Sequence, residues 1–443
     1  GEREQANPAN ASEPYFLFIS KNFDATKSNA SSQVALSNSP VSLFFIKGYF
    51  NMYKNGTVIY VGNFEMPDKN AAAHRVLNNA KIFKELEYRV CFCGIEKNDT
   101  EVPDQPINMG SFFTWPTKYP HNSLEWIKAM LEFKVLKKAI EFYPDVKFVI
   151  AYNMHTIPFF RLFKYCKKNG IKLIADVTEW YENKPSLQPI KMMKCIDTWC
   201  MMHILHKWVD GMIVISSFLA EYYRKSVKNL IVLPPLVDIT ESKWENDPSN
   251  QMGITEFVYS GLPGQNKDKL GLILSAFNEI RDNNFHFSII GITKDEFYKL
   301  FSKESTFADL MQDKISFLGR VSNEKSIRLL KQSDYSIFFR ETTRKNNAGF
   351  PTKFVEAITS GTAIITNEFS DLKNNFPEDG KSILLKNLKQ ENVVQALKIA
   401  IEQGSIIREN KGSDQFDFHH YIKEMRIFLD IVGGKNECFY KNA

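Results

Sequence analysis

The chain alternates, twice over, between short apolar runs of β type and longer stretches of helix type, and this rhythm restricts it to a small set of folds. In the first series the apolar runs fall at 57–62, 88–93, 146–151, 172–177, 212–215 and 231–233, with helical stretches expected over 70–86, 128–141 and 159–169. Pro234-Pro235 closes that series, and a polar segment at 239–252 reads as a linker. The second series has runs at 256–260, 285–290, 315–318, 335–339, 363–366 and 382–385, with helices over 270–281, 295–302, 324–332, 391–402 and 419–432. Strand-helix alternation of this kind builds parallel sheets covered on both faces. A chain of 443 residues accommodates two such units. The expected fold is therefore α/β, with two Rossmann-like doubly wound domains. Their bounds are an extension at 1–40, a first domain at 41–236, a linker at 237–253, a second domain at 254–416 and a final helix at 417–443 that returns to the first domain.

Composition narrows the classes. No run of about 18 apolar residues is present, so no transmembrane helix is expected. Residues 1–5 lack the basic-then-apolar order of a secretory signal. The net charge of +5 is a mild bias and does not mark a nucleic-acid partner. Six cysteines show no metal-ligand spacing, so no metal site is expected. Cys91 and Cys93 alternate onto one face of a strand and read as reduced core residues, in keeping with a cytosolic setting.

Ligands of open α/β sheets bind outside the carboxyl ends of the strands. Three loops of the second series carry suitable chemistry there. The first is SGLPGQNKDK, where Gly261 lets backbone approach a phosphate and Lys267 and Lys269 supply charge. The second is Gly319-Arg320-Val321, whose backbone could meet a base edge. The third runs through a polar loop at 344–348 into Gly349, Phe350, Pro351, Thr352 and Lys353. Gly349 is read as permitting unusual backbone angles, and the helix that follows offers its N-terminus to an anion. Glu356, one turn in, is placed to accept hydrogen bonds from a ribose. Three such loops in order, each after a buried strand, point to a nucleotide site.

The motifs FVYSGLPGQNKD, FLGRVSNEKSIRLLKQSDYSIFFRE and NNAGFPTKFVEAITSGTAIITN, with WVDGMIVISSFLAEYYRK and VLPPLVD in the first half, resemble the retaining glycosyltransferases of the group 1 (family 4) type, which have the GT-B fold. The resemblance spans about residues 57–432. It implies transfer of a sugar from a nucleoside diphosphate sugar, the co-substrate, with retention at the anomeric carbon and without a metal. By that resemblance Lys267 neutralises the diphosphate and Glu356 holds the ribose. Gly349, Phe350 and Pro351 present backbone to the sugar, Thr352 lies near the phosphates, and Arg320 and Val321 flank the base. UDP is the expected nucleotide, and a bacterial surface glycan the expected product.

The chain departs from the family pattern at three places. The family's paired glutamates are eight positions apart; Glu356 fits the second, but the first falls on Ala348, where Asn346 or Asn347 is the substitute. The family arginine before the phosphate lysine is missing, which leaves Lys269 or Arg344 to supply the second charge. The histidine expected after a first-half strand is absent from Asp176-Val177-Thr178-Glu179-Trp180, so Glu179, Asp176 or the nearby His155 is the candidate for its place. These departures keep a catalytically silent relative as the alternative. A nucleotide-sugar epimerase, the second alternative, places its carboxylates and histidines differently.

The segment 184–208 mixes Lys184, Lys191, Lys194 and Lys207 with Met192, Met193, Ile196, Trp199 and Trp208. A basic, Trp-rich helix of this kind suits a glycan or lipid-linked acceptor or a peripheral membrane contact. It suits a packed core helix equally well. Its apolar positions are too dense for one narrow stripe, so most of the segment is expected to be buried.

Overall fold

The computed structural model describes residues 53–67, 69–97, 102–182, 188–245, 253–263, 268–403 and 412–435. The extension expected over 1–40 lies outside the described residues, as does Lys267. The first half runs β1 (Thr57–Gly62), α1 (Ala71–Glu85), β2 (Arg89–Cys93), β3 (Ile95–Glu96), β4 (Ile107–Met109), β5 (Phe112–Thr114), β6 (Thr117–Lys118), α2 (Ser123–Ala129), α3 (Lys134–Phe142) and β7 (Val146–Tyr152). It continues through α4 (Thr156–Asn169), β8 (Lys172–Val177), α5 (Pro189–His203), β9 (Gly211–Val214), α6 (Ser217–Arg224) and β10 (Leu230–Val232). Eight of these strands form one sheet in the order β10-β9-β8-β7-β1-β2-β5-β4. Its neighbours are parallel except for the β4–β5 pair.

The second half runs β11 (Thr255–Ser260), α7 (Leu270–Glu279), β12 (Phe285–Ile290), α8 (Lys294–Leu300), α9 (Ser305–Leu310), β13 (Ile315–Gly319), α10 (Asn323–Gln332) and β14 (Tyr335–Ile337). It ends with α11 (Arg344–Ala348), α12 (Thr352–Thr359), β15 (Ala363–Asn367), β16 (Ile383–Leu385), α13 (Gln390–Glu402) and α14 (Ile422–Val432). Its six strands are all parallel, in the order β13-β12-β11-β14-β15-β16. In each half the first strand has later strands on both sides, so the direction of winding reverses next to β1 and next to β11. Side chains on both faces of β1, β2 and β15 are buried, which is why these strands read as unbroken apolar runs.

Local signals set the helix ends. The Asn70 and Ser216 side chains accept backbone N–H groups at the starts of α1 and α6, and Thr293 and Glu296 close a reciprocal cap on α8. Gly170, at φ +68°, ends α4. Two expectations need correction. The helix expected over 128–141 is two helices, α2 and α3; the Glu132 carboxylate accepts the Lys134 N–H and offers the backbone an alternative to continuous helix. The polar loop expected at 344–348 is the short helix α11, because Thr343 Oγ1 accepts the Asn346 N–H.

Apolar packing lies on both faces of each sheet. α14 closes the first half from the far end of the chain, with Met425, Phe428, Leu429 and Val432 in the same core as Val58, Val90 and Phe148. Polar contacts tie the halves where they meet. Ser216 Oγ donates to Ala348 O at 2.7 Å, and the Ser217 N–H donates to Asp371 Oδ2 at 2.7 Å.

Candidate functional site

A cavity of about 520 Å³ opens between the two sheets at their strand C-termini. Tyr152, Asn153, Thr178 and Glu179 bring the ends of β7 and β8 to it, and Ala71, Ala72 and Arg75 bring the first turn of α1. The second half contributes Arg340 and Glu341 after β14, Lys345 and Asn346 of α11, and Gly349 to Thr352 at the start of α12. The cavity thus sits beside the winding reversal in each sheet, where open α/β sheets leave a crevice. Gly62 ends β1 at φ +155°, and a Cβ there would lie 1.9 Å from Tyr152 O, so only glycine lets β1 and β7 close up at this edge.

The second half builds a cationic cluster, of which Arg340 lines the cavity and Lys353 and Asp268 lie behind its wall. Asp268 is buried just before α7, and two cations share it: Arg340 Nε lies 2.6 Å from Oδ1 and Lys353 Nζ 2.6 Å from Oδ2. The Tyr259 hydroxyl also donates to Oδ2, at 2.6 Å, and Lys353 Nζ lies 4.0 Å from the Tyr259 ring centroid. Burial alone would raise the Asp268 carboxyl, but the Lys353 ammonium and the Arg340 guanidinium outweigh it and hold the group well below the usual carboxylate range. One carboxylate against two cations leaves the cluster with net positive charge. Asn367 on β15 fixes the loop that carries Arg340, accepting its N–H at 3.0 Å and donating to its carbonyl at 2.9 Å.

The N-terminus of α12 points the same way. Pro351 occupies its cap position and gives no side-chain cap, so no capping side chain stands between the positive end of the helix dipole and an anion. Lys353, in that turn, joins helix dipole and cation in one place. Phe350 anchors the turn beneath, packed on Phe354 and Phe416. Gly349 does not use the freedom expected of it. Its φ of −86° and ψ of 173° are ordinary extended backbone, and a Cβ there would only touch Thr178 O at 3.8 Å. Its absent side chain keeps the cleft open between the halves. Gly261 does use that freedom, at φ +130°, and a Cβ on it would meet Lys353 Nζ at 3.2 Å.

The other donor-side candidates scatter. Lys269 caps α7 and pairs with Glu341 at the cavity wall. Glu356 lies about one turn beyond Thr352, half-buried and outside the cavity wall. Burial raises its carboxyl, against pulls from His74, Lys353 and Lys243 and a hydrogen bond with the Asn323 side chain. His74 belongs to α1, so a side chain of the first half also acts on Glu356. Arg344 stacks across the halves on Trp180, at 5.1 Å, and Asn347 accepts the Ser370 N–H. Arg320 and Val321 follow the edge strand β13, outside the cavity wall; Arg320 is exposed, 3.8 Å from Glu296. Ala348 is fully buried and stands behind that wall.

The three candidates for the missing histidine part company. Glu179 lines the cavity with its side chain exposed. Asp176 is buried below it, held by Arg75 Nη2 at 2.8 Å, by the Tyr60 hydroxyl at 2.5 Å and by Asn79. Asp176 therefore positions Arg75, which does line the cavity. His155 stands before α4, its Nδ1 2.8 Å from Asp197 and its ring against Trp126, away from the cavity. Arg75, Arg340, Glu341 and Lys345 of the cavity wall, with Asp268 behind it, are charged residues that sequence reasoning passed over. The signal for Arg340 was present, in a polar Arg-Glu pair directly after the buried run SIFF.

Among the described residues no group of His, Cys, Asp and Glu is arranged to hold a metal ion, and no helix is long and apolar enough to cross a membrane. Two doubly wound domains facing one crevice, with an anion-seeking helix end on the second, define the GT-B architecture of glycosyltransferases. Residues 255–403 match the family model described as glycosyl transferases group 1. A glycosyltransferase from Rickettsia africae ESF-5 superposes with a TM-score of 0.60 at 13% identity, over 87% of this chain and 100% of that one. The α,α-trehalose-phosphate synthase (UDP-forming) from Burkholderia vietnamiensis gives 0.60 at 10% identity, over 86% and 99%. The lipopolysaccharide outer core galactosyltransferase WaaB gives 0.54 at 14%, over 84% and 99%. At such identities the likeness shows the fold. No curated protein matches the chain significantly.

Proposed function

We propose that the chain is a retaining, metal-independent glycosyltransferase that moves a hexosyl or related group from a UDP-sugar to a glycan or lipid-linked acceptor. Its setting on this reading is the cytoplasm, at the inner face of a bacterial membrane, in the assembly of a surface polysaccharide or related glycoconjugate. One observation carries the reading: Arg340, which lines the inter-domain cavity, shares Asp268 with Lys353 in the uncapped first turn of α12, whose Pro351 and Thr352 line the cavity too. A diphosphate seated there takes its charge compensation from two cations and a helix end, and those groups stabilise it further as it leaves. Glu356 holds the ribose, Thr352 and Gly349 border the phosphates and sugar, and Lys267 adds a further charge. The anomeric C–O bond to the diphosphate breaks while the acceptor oxygen bonds to the same carbon on the same face. The acceptor proton passes to the departing phosphate oxygen. The exposed Glu179 carboxylate, on the opposite wall, orients the reacting sugar.

UDP is the preferred nucleotide because the Burkholderia vietnamiensis neighbour is described as UDP-forming, and a surface glycan because another neighbour is a lipopolysaccharide galactosyltransferase. The test is release of nucleotide. The protein is incubated with a panel of UDP- and GDP-sugars and membrane or glycan acceptor extracts, and the product anomer is read by NMR. UDP release that depends on acceptor, with a retained anomer, is expected. Tight UDP-sugar binding without release under any condition would establish a silent nucleotide-sugar binder instead. Epimerised donor in solution would establish an isomerase.

A further inference from the structure

The helix α5 was expected to be mostly buried, and it is not. Within Pro189–His203 only Met201 and Met202 are buried. Ile190, Met193, Ile196 and Trp199 are exposed, the last two by 56% and 55%. Just after the helix, Trp208 is 45% exposed while its ring packs on Phe160 and Phe163 of α4. Ile157 at the start of α4 and Leu124, Ile127 and Leu131 in and after α2 are exposed as well. These elements adjoin: Lys194 lies over the Trp126 ring at 5.4 Å, and Arg161 donates to Leu131 O. More than half of the large exposed apolar side chains among the described residues thus fall on these adjoining elements, a concentration that marks an interaction surface. Between α4 and α5 this face holds an apolar groove of about 450 Å³ lined by Ile157, Phe160, Lys164, Cys200, Ile204 and Leu205.

Charge identifies what covers it. Lys191 and Lys194 flank the apolar positions on α5, and Lys164, Lys167 and Lys168 stand exposed on α4. The single carboxylate of α5, Asp197, is turned inward, its oxygens taken by His155 and the Thr156 N–H. Nearby, Glu125 is folded onto the His121 N–H and Glu132 onto the Lys134 N–H. A basic strip beside exposed tryptophan and isoleucine matches the interface of an anionic bilayer: lysine meets headgroup phosphate, and indole sits at the acyl boundary. A second copy of the chain fits poorly, because a two-fold contact would press like-charged strips together. We propose that the α4–α5 face docks the protein on an anionic lipid surface. The face begins three residues past Tyr152 and Asn153 of the cavity wall, so docking would bring the cleft to lipid-borne acceptors. This deepens the reading of a lipid-linked acceptor and rests on it only for its purpose; binding to lipid requires no turnover.

The test floats the full chain with vesicles of phosphatidylcholine alone or of phosphatidylcholine and phosphatidylglycerol at about 7:3. Binding to the anionic vesicles is expected to be at least about tenfold tighter and to weaken with salt. Trp199→Glu with Ile196→Glu, and separately Lys191→Glu with Lys194→Glu, are expected to reduce it about tenfold or more. UDP affinity, measured on the same preparations, is expected to stay within about twofold, which shows that the variants are folded and keeps the donor site a separate question. Brominated acyl chains are expected to quench tryptophan emission, and less so in Trp199→Phe. Absence of vesicle binding by the unaltered chain, or equal binding by both double variants, would overturn the proposal. So would a dimer in sedimentation that dissociates on Trp199→Glu while vesicles are ignored, since the face would then be a contact between copies.

Discussion

Lys353 Nζ and Arg340 Nε each lie 2.6 Å from a different oxygen of Asp268, so the two cations are held in place before any anion arrives. The arrangement makes Asp268 a positioning residue with opposed effects on folding and binding. Asp268→Asn leaves two buried cations without their counter-charge and is expected to destabilise the fold by about 3–5 kcal/mol. UDP affinity should hold or rise, because the diphosphate no longer competes with the Asp268 carboxylate for those cations. Arg340→Met should do the reverse to binding, lowering UDP affinity by about 1.5–3 kcal/mol, the scale of a charged hydrogen bond, and sparing uridine. Urea unfolding and calorimetry on the same samples check both. The sign with pH follows from the depressed Asp268 carboxyl. Its stabilisation is present above the unfolded carboxylate range near 4 and is lost as pH falls through its lower folded value. The stability gap between wild type and Asp268→Asn should therefore narrow only in strong acid.

Glu356 behaves in the opposite sense. Its carboxyl is raised by burial, so the ionised form burdens the unliganded fold. A raised carboxyl contributes stability below the unfolded value that is lost as pH rises through the folded value. Glu356→Gln is therefore expected to raise the melting temperature at pH 7, and the gain should shrink as pH falls toward 4. On the proposed function the same change weakens UDP binding by about 1–3 kcal/mol through loss of the charged ribose hydrogen bond. Thermal melts across pH, with and without UDP, separate the two effects. A variant that neither gains stability nor loses UDP would remove Glu356 from the site.

Two glycines of the donor loops should respond differently to alanine. Gly261 sits at φ +130° with Lys353 Nζ 3.2 Å from the position of a Cβ, so Gly261→Ala should destabilise by more than about 1 kcal/mol. Gly349 has φ −86° and only Thr178 O at 3.8 Å, so Gly349→Ala should leave the fold unchanged or gain about 0.4–1 kcal/mol. The added methyl group projects across the cleft, so donor turnover should fall although the fold does not. Denaturation midpoints and turnover numbers on both variants check the contrast.

The contrast between Gly349 and Gly261 also marks how far sequence carries. Continuous runs such as TVIYVG and AIITN had to be strands buried on both faces, and capping residues such as Asn70 and Ser216 declared their helices, because both signals are local. The position of α12 after a glycine- and proline-bearing loop was legible for the same reason. The partners of Asp268 were not, since Arg340 and Lys353 lie 72 and 85 residues away and only the parallel order β11-β14-β15 brings them together. Burial of α5 was misjudged because apolar density says that a face wants cover, not that the chain itself supplies it. Arg344 was counted as a phosphate charge, yet its guanidinium stacks on Trp180, a contact that exists only once the two halves meet.

The carboxylates at the end of β8 offer the sharpest test of chemistry against scaffold. Asp176 is fully enclosed, with Arg75 at 2.8 Å and Tyr60 at 2.5 Å, whereas Glu179, three residues on, is exposed in the cavity wall. Asp176→Asn strands the Arg75 guanidinium in the core and is expected to destabilise by about 3–5 kcal/mol, with turnover falling only as far as the folded fraction and the set of Arg75 allow. Glu179→Gln removes a solvated charge and should change stability by less than about 0.5 kcal/mol. If Glu179 faces the reacting sugar, its loss should lower turnover by about a hundredfold with nucleotide affinity intact, the scale of a lost orienting contact. His155→Ala, outside the cavity wall and hydrogen-bonded to Asp197, should loosen the α4–α5 contact and leave turnover on a soluble acceptor near wild type. Turnover per folded molecule, with UDP affinity measured alongside, ranks the three. Equal losses at Glu179 and His155 would mean that neither touches the sugar.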